Sequence, residues 1–82
     1  KERVVRLIDA EKQTYRELAE KYHDLYVWGL READFDFLVT GATISRNRGS
    51  VALLTNDSGI RHARNRLVAV GEVDRVNLGL FE

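Results

Sequence analysis

Val4, Ile8, Glu11, Tyr15, Leu18, Tyr22, Leu25 and Gly29 succeed one another at spacings of four and three residues, the period at which side chains return to one face of an α-helix. Leu7, Ala19, Tyr26 and Trp28 widen this stripe on one flank, and Lys12, Arg16, Glu17, Glu20, Lys21 and Asp24 fill the other side. The pattern predicts a long amphipathic helix of about 28 residues, about 42 Å, weakened or ended by Gly29. Such a stripe either packs on its own domain or meets a second helix. Glu11 inside the stripe and its short run of heptads argue against an extended coiled coil.

The periodicity breaks down in "ADFDFLVTGATISRNRG", residues 33–49. As a strand, Phe35, Phe37, Val39, Gly41 and Thr43 share a face; as a helix, Asp34 caps and Phe35, Leu38, Val39, Ala42 and Arg46 form a row. Thr40, Gly41 and Thr43 are poor helix formers, so local propensity leans to strand and leaves both readings open. "SVALLTN" is a short apolar run between turn residues and predicts a strand over residues 51–56. Asp57 or Ser58 then has the chemistry of an N-cap, and "GIRHARNRLVAV" predicts a short basic helix over residues 58–70, with Ile60, Ala63, Leu67 and Val70 inward and Gly71 ending it. The tail alternates weakly at Val73, Val76, Leu78 and Leu80, as an edge strand or extended segment does. The fold class expected is mixed α/β: a long N-terminal helix, one or more short central strands and a short basic C-terminal helix.

Composition narrows the classes of function. Eighty-two residues make one small domain, or a piece of a larger one, that buries about 60–65% of its unfolded surface. The absence of methionine, at position 1 as elsewhere, points to a fragment. Without cysteine there is no disulfide scaffold and no thiolate site; a reducing cytoplasm is compatible with this. No apolar run approaches a membrane span, so no membrane partner is expected. Thirteen basic residues balance thirteen acidic ones, but unevenly. Residues 1–36 hold seven positive and nine negative charges, whereas Ser45–Arg66 carries five arginines against Asp57.

Two sets of residues have the makings of function. Arg46, Arg48, Arg61 and Arg64 are candidate phosphate ligands for RNA or DNA, on a basic loop and one side of the short helix. The alternative for them is a solvated helix face and a polar turn. Tyr15, Leu18, Tyr22, Leu25 and Trp28 form a candidate interface for self-association or a partner protein, since aromatic residues are enriched at such contacts. His23 and His62 have no ligand-forming neighbours at metal-site spacing. No glycine-rich phosphate loop or nucleophile-elbow serine is present.

The stretch from Gly29 to Ala63 resembles the C-terminal half of PIN-domain nucleases, in which an aspartate precedes an apolar, small-residue helix and a buried strand ends in Thr-Asx-Asp. Asp36 followed by "FLVTGAT" is similar to the first feature, and Thr55, Asn56 and Asp57 to the second. The resemblance implies a metal-dependent endoribonuclease in which Asp36 and Asp57 are catalytic and bind Mg²⁺ or Mn²⁺. Asp34 is a nearby alternative ligand, and Thr55 and Asn56 support the site. Carboxylates converging at strand ends suit such hard cations, which activate water and neutralise charge on a phosphodiester. The family opens with a strand and a further aspartate and carries another acid on a middle helix. This chain opens with the amphipathic helix instead, so these residues would be part of a catalytic cluster. Without the resemblance, Asp34 or Asp36 caps one helix and Asp57 or Ser58 the next, and the chain is a non-enzymatic module that binds nucleic acid or protein, the latter through its long helix.

Overall fold

A computed structural model describes residues 6–24, 29–55, 57–74 and 77–81, with Phe81 described by its backbone alone. The order is α1 (Asp9–Lys21), α2 (Glu32–Arg48), β1 (Val51–Leu54), α3 (Ser58–Ala69) and β2 (Leu78–Phe81). The strands pair in parallel, with Val51 opposite Leu78 and Leu53 opposite Leu80, so β1–α3–β2 is a crossover unit of the kind that brings parallel strands together. The expectation of a mixed α/β fold holds.

α1 is shorter than the stripe predicts, with Tyr22 as its C-cap. Asp9 and Glu11 lie in its first turn and Lys21 in its last, each sign of charge at the end that the helix dipole favours. The parts of the long-helix expectation that fall on residues 1–5 and 25–28 lie outside the described residues.

Residues 32–48 are helical, which settles the ambiguity against local propensity. The hydroxyls of Thr43 and Ser45 donate to the carbonyls of Val39 and Ala42 at 2.9 Å each, so both buried polar side chains are satisfied within the helix. Gly41 serves tertiary packing: a Cβ there would stand 2.6 Å from Leu53 Cδ2 and 3.3 Å from Leu78 Cδ1. The missing side chain lets α2 lie close on both strands. Leu38, Val39 and Ala42 from α2, Leu53 and Leu78 from the sheet, and Ile60, Ala63 and Leu67 from α3 form the core, which Leu18 of α1 joins.

The other face of the sheet carries Ala52 and Leu54, both exposed. α3 ends in a Schellman arrangement: Glu72 N–H donates to Leu67 O at 2.9 Å and Gly71 N–H to Val68 O at 3.0 Å, with Gly71 at φ 78°. That left-handed glycine is what the motif demands. It also fixes where Glu72 points.

Candidate functional site

The junction after β1 is built by its own short-range chemistry. Thr55 Oγ1 accepts from the Asp57 N–H at 3.1 Å. Asp57 caps α3, its Oδ1 accepting from Gly59 N at 2.7 Å and Ile60 N at 3.4 Å. Both bonds fall on one oxygen, and a carboxylate has further lone pairs on the other. Asp57 is exposed. The cap reading of this residue is therefore correct, and it leaves acceptor capacity at the carboxyl end of a parallel strand. That is the usual position of ligand sites in such sheets.

The start of α2 comes to the same end. Leu30 Cδ1 lies 3.6 Å from where a Cβ on Gly59 would stand, so the segment that enters α2 packs against the first turn of α3, which follows β1. Asp34 is half-buried and lies two turns before Gly41, on the side of α2 that rests on the strands. Asp36 is two residues further, roughly 200° round the helix. It faces α1 instead, where the Tyr15 hydroxyl donates to Oδ1. Burial, and then this bond, push the Tyr15 phenol up to about 12.

Of the two α2 acids, Asp34 is thus the one on the strand-facing side of the helix, while Asp36 is engaged by Tyr15 of α1. The physical reason is helical phase, which the sequence leaves open while residues 35–45 can be strand or helix. Among the described residues no group of three or more acidic, histidine or cysteine side chains is placed to hold a metal. Asn56 lies outside the described residues.

A shallow cleft of about 710 Å³ lies beside Asp36, lined by Tyr15, Glu32, Ala33, Phe35 and Asp36. It is on the α1 side, away from Asp57.

Two of the four candidate arginines, Arg46 and Arg48, are exposed but engaged by carboxylates. Arg48 donates from Nε and Nη2 to the Glu11 carboxylate at 2.5 and 2.6 Å, and Arg46 Nη2 lies 3.1 Å from Glu72 Oε1. Arg64 is buried, 8% exposed, and Arg61 is half-buried. Arg61 and Arg64 lie on one side of α3, as expected from their spacing, and that side turns partly toward the core, with Ile60 and Leu67.

The interface expected on the first helix is also revised. Leu18 is 3% exposed and belongs to the core, with Tyr15 and Tyr22 packed at its margin; Leu25 and Trp28 lie outside the described residues. Among the described residues, Glu11, Tyr15, Leu18 and Tyr22 of the stripe seat α1 on its own domain.

Two residues escaped the sequence reading. Glu11 interrupts the apolar stripe, and its burial is explained by Arg48, 37 residues away. Glu72, with an 8% exposed side chain, accepts from Tyr22 Oη at 2.5 Å and Lys21 Nζ at 3.0 Å. Its one signal was the preceding Gly71.

No family model matches the chain, and neither does any curated protein or solved structure. No described helix is long and apolar enough to cross a membrane.

Proposed function

We propose that the chain is a PIN-like, metal-dependent endoribonuclease unit, with Asp34 and Asp57 as its contribution to the cation site. One arrangement supports the reading: Asp57, with spare acceptor capacity, follows the carboxyl end of β1, and Asp34 lies on the side of α2 that carries Gly41 against the strands. The donor set suits the ion. Mg²⁺ keeps several waters and is commonly held by one or two carboxylates, which two aspartates and the nearby Thr55 hydroxyl supply in hard oxygen chemistry. When bound, such an ion supplies an activated water and neutralises charge developing on a phosphodiester.

The chain's own residues do the rest. Asp57 is oriented by the backbone N–H groups it caps, Asp34 is fixed by the packing of Gly41 on β1, and Thr55 holds the turn between strand and cap. The absence of thiols suits action in a reducing cytoplasm. A further chain, or a further part of this protein, supplies the remaining acids.

Titration with Mn²⁺, followed by water-proton relaxation, tests the site directly. Asp34→Asn and Asp57→Asn should each weaken binding and any Mn²⁺-dependent cleavage of single-stranded RNA, whereas Asp36→Asn should spare both. Equal Mn²⁺ binding by the wild type and the first two variants would sink the proposal.

Association with another protein is a second reading. Its support lies on the outer face of the sheet, where Leu54 is 72% exposed; parallel strands are commonly covered on both faces.

A further inference from the structure

α1 is fastened to the rest of the molecule by a buried carboxylate at each end. Near its N-terminus Glu11, 1% exposed, accepts from Ile8 N at 3.0 Å and from both Nε and Nη2 of Arg48 at 2.5 and 2.6 Å. Arg48 Nη2 also donates to the carbonyl of Arg6 at 3.1 Å, tying the entry of α1 to the end of α2. At the other end, Glu72 gathers Tyr22 at 2.5 Å and Lys21 at 3.0 Å from α1, and Arg46 at 3.1 Å from α2. Between these clasps Leu18 is the one α1 hydrophobic residue of the buried core among the described residues. Leu38, Leu53, Ile60, Leu67 and Leu78, all at or below 4% exposed, come from the other four elements and are all aliphatic.

The two parts of the molecule are therefore held by different physics. The α2–β1–α3–β2 body rests on apolar burial, which is insensitive to protonation. The docking of α1 depends on two ionised carboxylates whose removal from water is offset by two or three donors each. Taking away the charge at one end leaves a buried carboxyl without its ion pairs to the partly exposed Arg48, or to Arg46 and Lys21, so that end of α1 is held less tightly.

We propose that α1 is a releasable strap: it unlatches as a unit, both clasps opening together, while the α2–β1–α3–β2 body stays folded beneath it. Release withdraws Leu18 from the core and lifts Tyr15 off Asp36, uncovering the first turns of α2. The inference does not depend on the nuclease reading.

Acid is the direct way to open the clasps. The groups facing Glu11 and Glu72 are Arg48 and Arg46 from α2 and Lys21 and Tyr22 from α1, with Asp24 close to Tyr22. Hydrogen bonds from Arg48 hold Glu11 below the ordinary 4.5, and those from Tyr22 and Lys21 do the same for Glu72. The contribution of each carboxylate to docking is present above 4.5 and is lost as pH falls through its lowered folded value.

Hydrogen exchange of the full chain, followed by mass spectrometry from about pH 7 to about pH 3 with intrinsic rates divided out, separates the two parts. Peptides covering residues 9–21 should lose protection at a higher pH than peptides covering residues 38–45 and 60–67. In the double variant Glu11→Gln, Glu72→Gln, at neutral pH, exchange in residues 9–21 should rise about tenfold or more while the body peptides change about twofold or less. Loss of protection in α1 and body at one pH would overturn the strap, as would a double variant whose α1 exchanges as slowly as the wild type. Should the double variant fail to fold, the wild-type pH series decides alone.

Discussion

A side chain on Gly41 would begin 2.6 Å from Cδ2 of Leu53, closer than carbon atoms approach without something moving. Leu53 is itself confined, 4% exposed, beside the fully buried Leu78. Two effects compete at this position. Alanine gains about 1 kcal/mol of helix propensity over glycine, while overpacking a confined site costs about 1–3 kcal/mol. Gly41→Ala should therefore be close to neutral or mildly destabilising. Gly41→Val, with two more methyls and poorer helix propensity, should cost about 2 kcal/mol or more, read as a lower urea midpoint. A stabilised valine variant would mean that α2 does not lie on β1 and β2 as described.

Leu18 distinguishes a core seat from an association surface. As a buried residue, its replacement by alanine should lower stability by about 2–5 kcal/mol at every protein concentration. Were the stripe an interface between chains, Leu18→Ala would instead shift the sedimentation coefficient and make the apparent stability depend on concentration. Equilibrium unfolding at two concentrations a hundredfold apart, about 1 and 100 μM, separates the outcomes.

The phenols give a pH prediction of opposite sign to the carboxylates. Tyr15 and Tyr22 are each pushed from 10.0 to about 12, by burial first and then by donation to Asp36 and Glu72. Folding favours their neutral form, so this contribution to stability is complete below 10 and is lost as pH rises toward 12. Ultraviolet titration near 295 nm should show two late-ionising tyrosines, and Glu72→Gln should bring one of them earlier. Two tyrosines ionising at their ordinary value in the folded protein would contradict both hydrogen bonds.

What the sequence made legible was local. The strand at residues 51–54 and the helix from Ser58 announce themselves because the apolar run, the capping aspartate and Gly71 are neighbours along the chain. The helix at residues 32–48 was ambiguous because Thr40, Gly41 and Thr43 speak for a strand, while the facts that overrule them are tertiary: a strand lying under Gly41 and helical carbonyls receiving the hydroxyls. The arginines misled for the same reason. Arg48 finds its carboxylate 37 residues back and Arg46 finds Glu72 on the far side of α3; a charge count along the chain sees neither. Which of Asp34 and Asp36 faces the sheet end depends on helical phase, and it became readable once residues 32–48 were known to be helix.

Asp57 tests whether the strand end does more than start a helix. Its Oδ1 caps α3 through Gly59 and Ile60, and asparagine caps about as well as aspartate, whereas alanine loses the cap at about 1 kcal/mol. Asp57→Ala should therefore be destabilised by about that amount and Asp57→Asn hardly at all. A cap needs only the acceptor oxygen, but a cation site needs the charge, so the two variants part company in their chemistry. On the nuclease reading both lose Mn²⁺ affinity and cleavage, although the asparagine variant keeps its fold. An asparagine variant that retains stability, Mn²⁺ binding and cleavage would reduce Asp57 to a helix cap, and the carboxyl end of β1 would then hold no ion through this residue.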